Sequence, residues 1–123
     1  KWDVGFRIGA AVRKARSETA FRRLETEALR ELGKRSGVIL STGGGCVTRS
    51  ENYPLLHQNG TIFWLLRSPW KLPSDGRPLS QAESAEAMYA RREPMYRRFA
   101  DVKIDNEGAI ERAVEAIARK VLL

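Results

Sequence analysis

The chain has little cysteine, little histidine and no long apolar run. Cys46 is the only cysteine among 123 residues, so no internal disulfide can form, and no Cys/His cluster has the spacing of a zinc site. No apolar run approaches the roughly 20 residues that span a bilayer, and the N-terminus carries no apolar signal-peptide region. These absences predict a protein of the reducing cytoplasm that does not enter a membrane.

Several catalytic motifs are also absent. The sequence contains no Gly-x-Ser-x-Gly elbow, no Gly-x-Gly-x-x-Gly dinucleotide motif and no Gly-x-x-x-x-Gly-Lys-Ser/Thr phosphate loop. No surrounding pattern supports a nucleophilic pair of Cys46 with His57, the only histidine. We therefore expect His57 to be a surface residue near the end of a helix.

The composition is that of an ordinary globular protein with a basic surplus. The formal net charge is +7, with 22 Lys and Arg residues against 15 Asp and Glu. The basic residues are spread along the chain without a long block, and arginine outnumbers lysine. Because arginine pairs with carboxylate and phosphate in a bidentate manner, this favours a small anionic ligand over nucleic acid. A solvated basic surface remains the alternative.

Hydrophobic spacing and turn residues predict alternating helices and strands in one domain, 1–123. A first helix is expected over 6–15, and a second begins after the cap Ser17 and ends at Gly33. Three strands with apolar or mixed patterns follow. The strands are predicted at Val38–Thr42, Thr61–Leu66 and Val102–Asp105. The second helix has an apolar stripe at helical spacing, formed by Phe21, Leu24, Ala28 and Leu32. The last helix has another, formed by Ile110, Val114, Ile117 and Val121. This alternation indicates an α/β fold with a parallel sheet.

Local signals also set the expected ends of the middle helices. Thr48-x-x-Glu51 and Ser80-x-x-Glu83 have the spacing of capping boxes and predict helices that begin there. Pro94 is expected to break or kink the second of these two helices.

The glycine triplet Gly43-Gly44-Gly45 joins a predicted strand to the next helix. Without side chains, its backbone can approach a ligand closely, and open parallel sheets bind ligands beyond the carboxyl ends of their strands. A plain turn with left-handed glycines is the alternative. Upstream, Arg22 and Glu25 are neighbours on a helix surface, either as a simple surface ion pair or as an arginine oriented for a ligand.

Four segments of the chain, in order, resemble motifs of the shikimate kinase family. The resemblance extends along nearly the whole chain. The four segments are Glu18-x-x-Phe21-Arg22-x-x-Glu25, Ser41-Thr42-Gly43-Gly44-Gly45, Asp75-Gly76-Arg77-Pro78-Leu79 and Arg92-Glu93-Pro94-Met95-Tyr96-x-x-x-Ala100-Asp101. Ser17 stands where the family's first motif has glycine.

This resemblance implies roles for particular residues. Arg22 and Arg92 would hold the carboxylate of shikimate, and the glycine triplet would meet its hydroxyls through backbone groups. Glu25 would orient Arg22. Arg77, on a lid loop of residues 67–79, would close over the transferring phosphoryl group.

The resemblance also implies a function and a fold. The family transfers the γ-phosphoryl group of ATP to the 3-hydroxyl of shikimate with Mg²⁺, on the chorismate route to aromatic amino acids. The fold implied is a partial, three-layer relative of the phosphate-loop kinases, with about three parallel strands, helices on both faces and its N-terminal strands missing.

By this alignment the chain begins just after the family's phosphate loop and Asp-x-Asp motif. We therefore expect that the chain alone binds neither ATP nor Mg²⁺. A missing segment would leave strand edges exposed, which favours self-association or an N-terminal partner segment. The tail of a shikimate dehydrogenase/kinase fusion is one origin, and a non-catalytic small-anion-binding kinase remnant is the alternative function.

Overall fold

The computed structural model describes the backbone of residues 4–7, 17–68 and 84–122, and the side chains of 17–68 and 84–121. Its contacts group into two units, Lys1–Thr61 and Ile62–Leu123, which are called the N-terminal and C-terminal units below. Each unit contains one pair of parallel strands. No helix in the described ranges is long and apolar enough to cross a bilayer.

The N-terminal unit pairs a strand at its start with a strand that follows its long helix. β1 and β2 are parallel, with Val4 opposite Val38 and Arg7 opposite Ser41. The elements are β1 (Val4–Arg7), α1 (Glu18–Leu32), β2 (Val38–Ser41), a 3₁₀ helix (Gly44–Thr48) and α2 (Asn52–His57). Parallel strands need a crossover between them, and α1 belongs to that connection.

β1 corrects the expectation of a helix over 6–15. Residues 4–7 are a strand, so residues 6 and 7 are not helical, and 8–16 lie outside the described residues. Helical spacing within the segment is weak, whereas pairing with β2 satisfies the backbone of both strands. The described residues thus contain four strands rather than three, and the predicted α/β class with parallel strands is confirmed.

Both predicted ends of α1 are confirmed. The Ser17 hydroxyl accepts a hydrogen bond from the backbone N–H of Ala20 at 3.1 Å, which caps the first turn. Gly33 ends the helix with a right-handed φ of −66°. Glycine is required there for close approach, because a Cβ would meet the carbonyl oxygen of Leu55 and lie 2.8 Å from that of Leu29.

The segment after β2 differs from the predicted capping box. α2 begins at Asn52 rather than Thr48, and Glu51 makes no side-chain cap bond. The Thr48 hydroxyl instead donates to the carbonyl of Gly45 at 2.6 Å, within the 3₁₀ helix. The Glu51 carboxylate pairs with Arg49 at 2.8 Å. Both side chains that should have formed the box therefore have other partners.

The C-terminal unit is a second strand pair with two helices. β3 and β4 are parallel, with Phe63 opposite Val102 and Leu66 opposite Asp105. Its elements are β3 (Phe63–Leu66), α3 (Ala85–Phe99), β4 (Val102–Asp105) and α4 (Ile110–Leu122). The β4 bounds match the predicted strand, because alternating polar and apolar residues identify it locally.

α3 continues through Pro94, so the expected break is wrong. The Ser84 hydroxyl caps its start by accepting from the N–H of Ala87 at 3.1 Å, whereas the box predicted at Ser80 lies outside the described residues. Proline removes one donor from the helix ladder, but the helix runs on to Phe99. A kink at Pro94, the other outcome expected from the sequence, stays a prediction.

The buried faces of α1 and α4 are displaced from the predicted stripes. In α1 the buried residues are Glu25, Thr26 and Leu29, which include two polar side chains. In α4, Ala113 is buried, whereas Ile110 is 68% exposed. Spacing alone therefore identified both helices but not the residues that they bury.

Candidate functional site

α1 presents an arginine and a buried carboxylate on one face. Nη1 of Arg22 donates to Oε1 of Glu25 at 2.9 Å; the Arg22 side chain is 13% exposed and that of Glu25 is 0% exposed. Glu18, one turn earlier, is 55% exposed, and its Oε2 lies 3.7 Å from Nε of Arg22. Burial thus distinguishes the Arg22–Glu25 pair from a surface ion pair, which was the simpler alternative.

The glycine triplet lies against this pair. A Cβ on Gly45 would lie 2.6 Å from Nη1 of Arg22, so the guanidinium occupies the space that any side chain at this position would need. A Cβ on Gly43 would lie 3.9 Å from Oε2 of Glu25, an ordinary contact. The triplet therefore brings bare backbone up to both members of the pair.

The triplet is not a left-handed turn. Gly43 has φ −72°, and Gly37 is the glycine with positive φ in the part of the chain that the structure describes. Gly43 and Gly44 are exposed, whereas Gly45 is buried. Glycine is thus needed at Gly45 for close approach, while the other two leave backbone accessible at the end of β2.

Three buried side-chain atoms lack a hydrogen-bond partner within the described residues. They are Nε of Arg22, Oε2 of Glu25 and Nε of Arg92. Buried polar atoms are usually satisfied, and an unsatisfied one is costly unless a ligand or water completes it. All three belong to residues that the sequence motifs had singled out.

A network of polar side chains, two of them buried, bonds to the backbone of Arg22, and sequence reasoning missed it. It consists of Thr26 on α1, Arg49 after the 3₁₀ helix and Asn52 at the start of α2. Asn52 is fully buried and Thr26 nearly so. One signal was present in the sequence: Thr26 is four residues from Arg22 and therefore on its face of the helix. The contact with Asn52, 26 residues away, had no local signal.

Arg92 lies on α3 in the C-terminal unit, two residues before Pro94. Its side chain is partly buried. Arg77 and most of the predicted lid loop, residues 69–79, lie outside the described residues. The structure thus brings Arg22, Glu25 and the triplet together in one unit, whereas the roles of Arg92 and Arg77 stay predictions.

Two ionisable groups on α3 are perturbed. Burial raises the pKa of Tyr89 above its ordinary value of 10.0, and the nearby Glu93 carboxylate raises it further. Arg97 forms an ion pair with Glu93, and this hydrogen bond raises the pKa of the guanidinium. Neither group is a catalytic acid or base by its chemistry at neutral pH. His57 is exposed, as expected, and its ring stacks on that of Tyr53 with centroids 5.2 Å apart.

Comparison with known proteins gives a consistent result. The model of a protein family described as "Shikimate kinase" matches residues 4–122. A shikimate kinase of Cupriavidus pinatubonensis is 43% identical over 97 residues, which are 72% of this chain and 50% of that protein. One from Burkholderia lata is 35% identical over 115 residues, 84% of this chain and 62% of that protein. The chain thus spans about half to three-fifths of the length of these curated relatives.

Solved structures agree with this result. The shikimate kinase from Acinetobacter baumannii, in complex with shikimate, aligns with a TM-score of 0.76 and 26% identity over 96% of this chain and 75% of that chain. The enzyme from Aquifex aeolicus aligns with a TM-score of 0.75 at 24% identity, over 96% of this chain and 79% of that one, which supports the fold.

Proposed function

The chain belongs to the shikimate kinase family, and from this premise we propose that it takes part in transfer of the γ-phosphoryl group of ATP to the 3-hydroxyl of shikimate. In this proposal, the described residues of the N-terminal unit form part of the shikimate site. The relative from Acinetobacter baumannii was solved with shikimate bound, which supports this ligand. The reaction would serve chorismate and aromatic amino-acid synthesis.

The observation that carries the proposal is the buried Arg22–Glu25 pair beneath the glycine triplet. Glu25 engages Nη1 of Arg22 and leaves Nε, a buried donor, without a hydrogen-bond partner among the described residues. A ligand carboxylate could accept from that donor in a charge-assisted hydrogen bond. The exposed backbone of Gly43 and Gly44 would offer polar groups to the ligand's hydroxyls.

Arg92 and Arg77 complete the proposed set. Arg92 has a buried Nε without a partner within the described ranges, as Arg22 does, which suits a second donor to the ligand carboxylate. Arg77 would close over the transferring phosphoryl group and stabilise its charge. The lid loop of residues 67–79 would exclude water during the transfer.

ATP and Mg²⁺ are implied by the family, but the described residues do not fit them. No group of three or more His, Cys, Asp or Glu side chains there could hold a metal ion. The sequence also lacks the Gly-x-x-x-x-Gly-Lys-Ser/Thr loop that cradles phosphates. We therefore propose that this chain alone has little or no kinase activity.

The environment and partners of the protein follow from the same proposal. We expect a cytoplasmic enzyme whose ligand is a small molecule rather than nucleic acid or a membrane. We also propose that the chain self-associates through exposed strand edges, or that an N-terminal partner segment supplies the nucleotide site. Light scattering tests the first of these, and a monodisperse monomer would contradict it.

Calorimetric titration with shikimate tests the proposed ligand. The wild-type chain should give saturable heat, and Arg22→Ala should abolish it because the carboxylate loses its buried cation. Arg23→Ala is the matched control: Arg23 is exposed on the same helix and should keep wild-type affinity. Equal affinity of the Arg22 and Arg23 variants, or no binding by wild type, would refute the proposed site.

The second candidate function is a kinase remnant that binds a small anion without catalysis. It is favoured by the absence of a phosphate-loop pattern from the sequence. A coupled assay for ADP release separates the two functions. Shikimate binding without turnover, in the whole protein encoded by the reading frame, would support the remnant, whereas turnover would exclude it.

A further inference from the structure

Four side chains and two backbone carbonyls form one chain of hydrogen bonds behind the proposed shikimate site. Nη1 of Arg49 donates to the carbonyl of Arg22 and to the hydroxyl of Thr26, both at 2.9 Å. The Thr26 hydroxyl donates to Oδ1 of Asn52 at 2.7 Å. Nδ2 of Asn52 donates to the carbonyl of Cys46 at 2.8 Å. At the exposed end, Nη2 of Arg49 pairs with Glu51.

The donors and acceptors of this chain match one another. The two protons on Nη1 of Arg49 go to two different oxygens. The Thr26 hydroxyl has one proton and two acceptors within reach, Oδ1 of Asn52 at 2.7 Å and the carbonyl of Arg22 at 3.0 Å, and the shorter distance favours Asn52. Each group therefore donates in the same direction, from Arg49 through Thr26 and Asn52 to Cys46. Hydrogen bonds arranged in this way polarise one another, which strengthens the chain.

The two ends of this hydrogen-bond network bind two backbone groups that together fix the position of Arg22. One end binds the backbone carbonyl of Arg22 itself. The other end binds the carbonyl of Cys46, the residue after Gly45, against whose backbone the Arg22 guanidinium lies. The network therefore ties the backbone of Arg22 to the surface on which its guanidinium rests.

Packing alone does not require polar residues here. Apolar residues of similar volume often stabilise a buried site as well as polar groups or better, so stability alone does not account for this network. Asn52 has no exposed surface, so its amide is not needed for solubility.

We propose that Asn52 and Thr26 are positioning residues that hold Arg22 in register with the glycine triplet. This inference rests on the proposed function, because it assigns them to the binding of the shikimate carboxylate through Arg22. Neither side chain would touch the ligand.

Variants of Thr26 separate positioning from packing. Thr26→Val keeps the volume and removes the hydroxyl, whereas Thr26→Ser keeps the hydroxyl. We expect Thr26→Val to bind shikimate about tenfold more weakly, about 1.4 kcal/mol, and Thr26→Ser to stay within about twofold of wild type. Equal losses in the two variants would overturn the proposal, since a purely steric role would not be rescued by serine.

Asn52→Asp has a matched control in Asn59→Ala. Aspartate keeps the acceptor for Thr26 but loses the donor to Cys46, so we expect about tenfold weaker shikimate binding. The two protons of the Asn59 amide are likewise shared among three oxygens in the same unit, those of Lys34, Arg35 and Ser36, but Asn59 is exposed. Asn59→Ala should lower stability without changing affinity. An equal change of affinity in both variants would contradict positioning; the Thr26 pair decides if Asn52→Asp does not fold.

A ligand-free measurement separates failure of this proposal from failure of the proposed function. The ¹⁵N–¹H resonance of Nε in Arg22, assigned through its loss in Arg22→Lys, reports the guanidinium environment directly. It should shift in Thr26→Val and stay in place in Thr26→Ser and Asn59→Ala. That result would uphold positioning even if wild type failed to bind shikimate. An unchanged resonance in Thr26→Val would overturn positioning even if shikimate bound.

Discussion

The two units of the chain differ in what they bury. The N-terminal unit buries Glu25, Thr26 and Asn52 together with Leu29 and Val47. In the C-terminal unit the buried residues among those described are apolar. They are Trp64, Met88, Phe99, Ile104 and Ala113. A buried polar group is costly unless it is paired. The paired polar side chains buried in the N-terminal unit therefore favour one fixed arrangement of that unit's side chains.

Arg92 is the exception in the C-terminal unit. Its Nε is a buried polar atom without a hydrogen-bond partner within the described residues, whereas the buried residues of this unit are apolar. The N-terminal unit has two such atoms, Nε of Arg22 and Oε2 of Glu25, beside its connected network. Unsatisfied buried atoms therefore occur in both units, whereas buried polar residues that bond to one another occur in the N-terminal unit.

The largest expected effect comes from breaking the buried ion pair. Glu25→Ala leaves the guanidinium of Arg22 without its partner in a site that water barely reaches, so the free energy of unfolding should fall by about 3 kcal/mol. Urea denaturation measures this. Glu18→Ala removes the exposed carboxylate near the same arginine and should cost less than about 1 kcal/mol. Equal losses would show that burial does not distinguish the two carboxylates.

Gly45→Ala tests the close approach of the triplet. The added Cβ would collide with the guanidinium of Arg22, so we expect a loss of about 1–3 kcal/mol in unfolding free energy and weaker shikimate binding. Gly43→Ala makes only an ordinary contact and should leave stability nearly unchanged. Denaturation and calorimetry of both variants measure these effects, and a Gly45→Ala protein as stable as Gly43→Ala would contradict the packing described here.

Ile104→Val tests the apolar core of the C-terminal unit. Ile104 is buried in β4, so loss of one methylene should cost about 1 kcal/mol of unfolding free energy. We expect shikimate affinity to stay unchanged, because no polar network is disturbed. Thermal denaturation and calorimetry on the same sample check both statements. Loss of shikimate affinity in Ile104→Val would show that packing in the C-terminal unit also affects the ligand site.

The smallest expected effect is a pH dependence in the C-terminal unit. The pKa of Tyr89 is raised by burial and then by Glu93, so the folded chain holds this proton more tightly than the unfolded chain. The corresponding stability is present below the ordinary pKa of 10.0 and is lost as the pH rises through the folded value. Tyr89→Phe should therefore show a shallower fall in denaturation midpoint above that pH. Identical alkaline profiles would contradict the burial of the hydroxyl.

Local signals predicted much of the fold and part of the site. The cap at Ser17, the end at Gly33 and the bounds of β4 were read from residues within one turn or one strand. The Arg22–Glu25 pair followed from a spacing of three on a helix. The capping box at Thr48 failed because Glu51 found a charged partner, Arg49, which competes with the backbone N–H for its carboxylate.

The sequence by itself determined the α/β class, both ends of α1 and the family motifs, because each depends on residues that are close in the chain. Only the tertiary structure decided the pairing of β1 with β2, the contact of Gly45 with Arg22 and the buried bond from Thr26 to Asn52. Those contacts join segments far apart in sequence, and no local pattern encodes which distant backbone or amide will satisfy a buried group. The glycine triplet illustrates both: its composition indicated close approach, but the fold determined that the approaching group is a guanidinium.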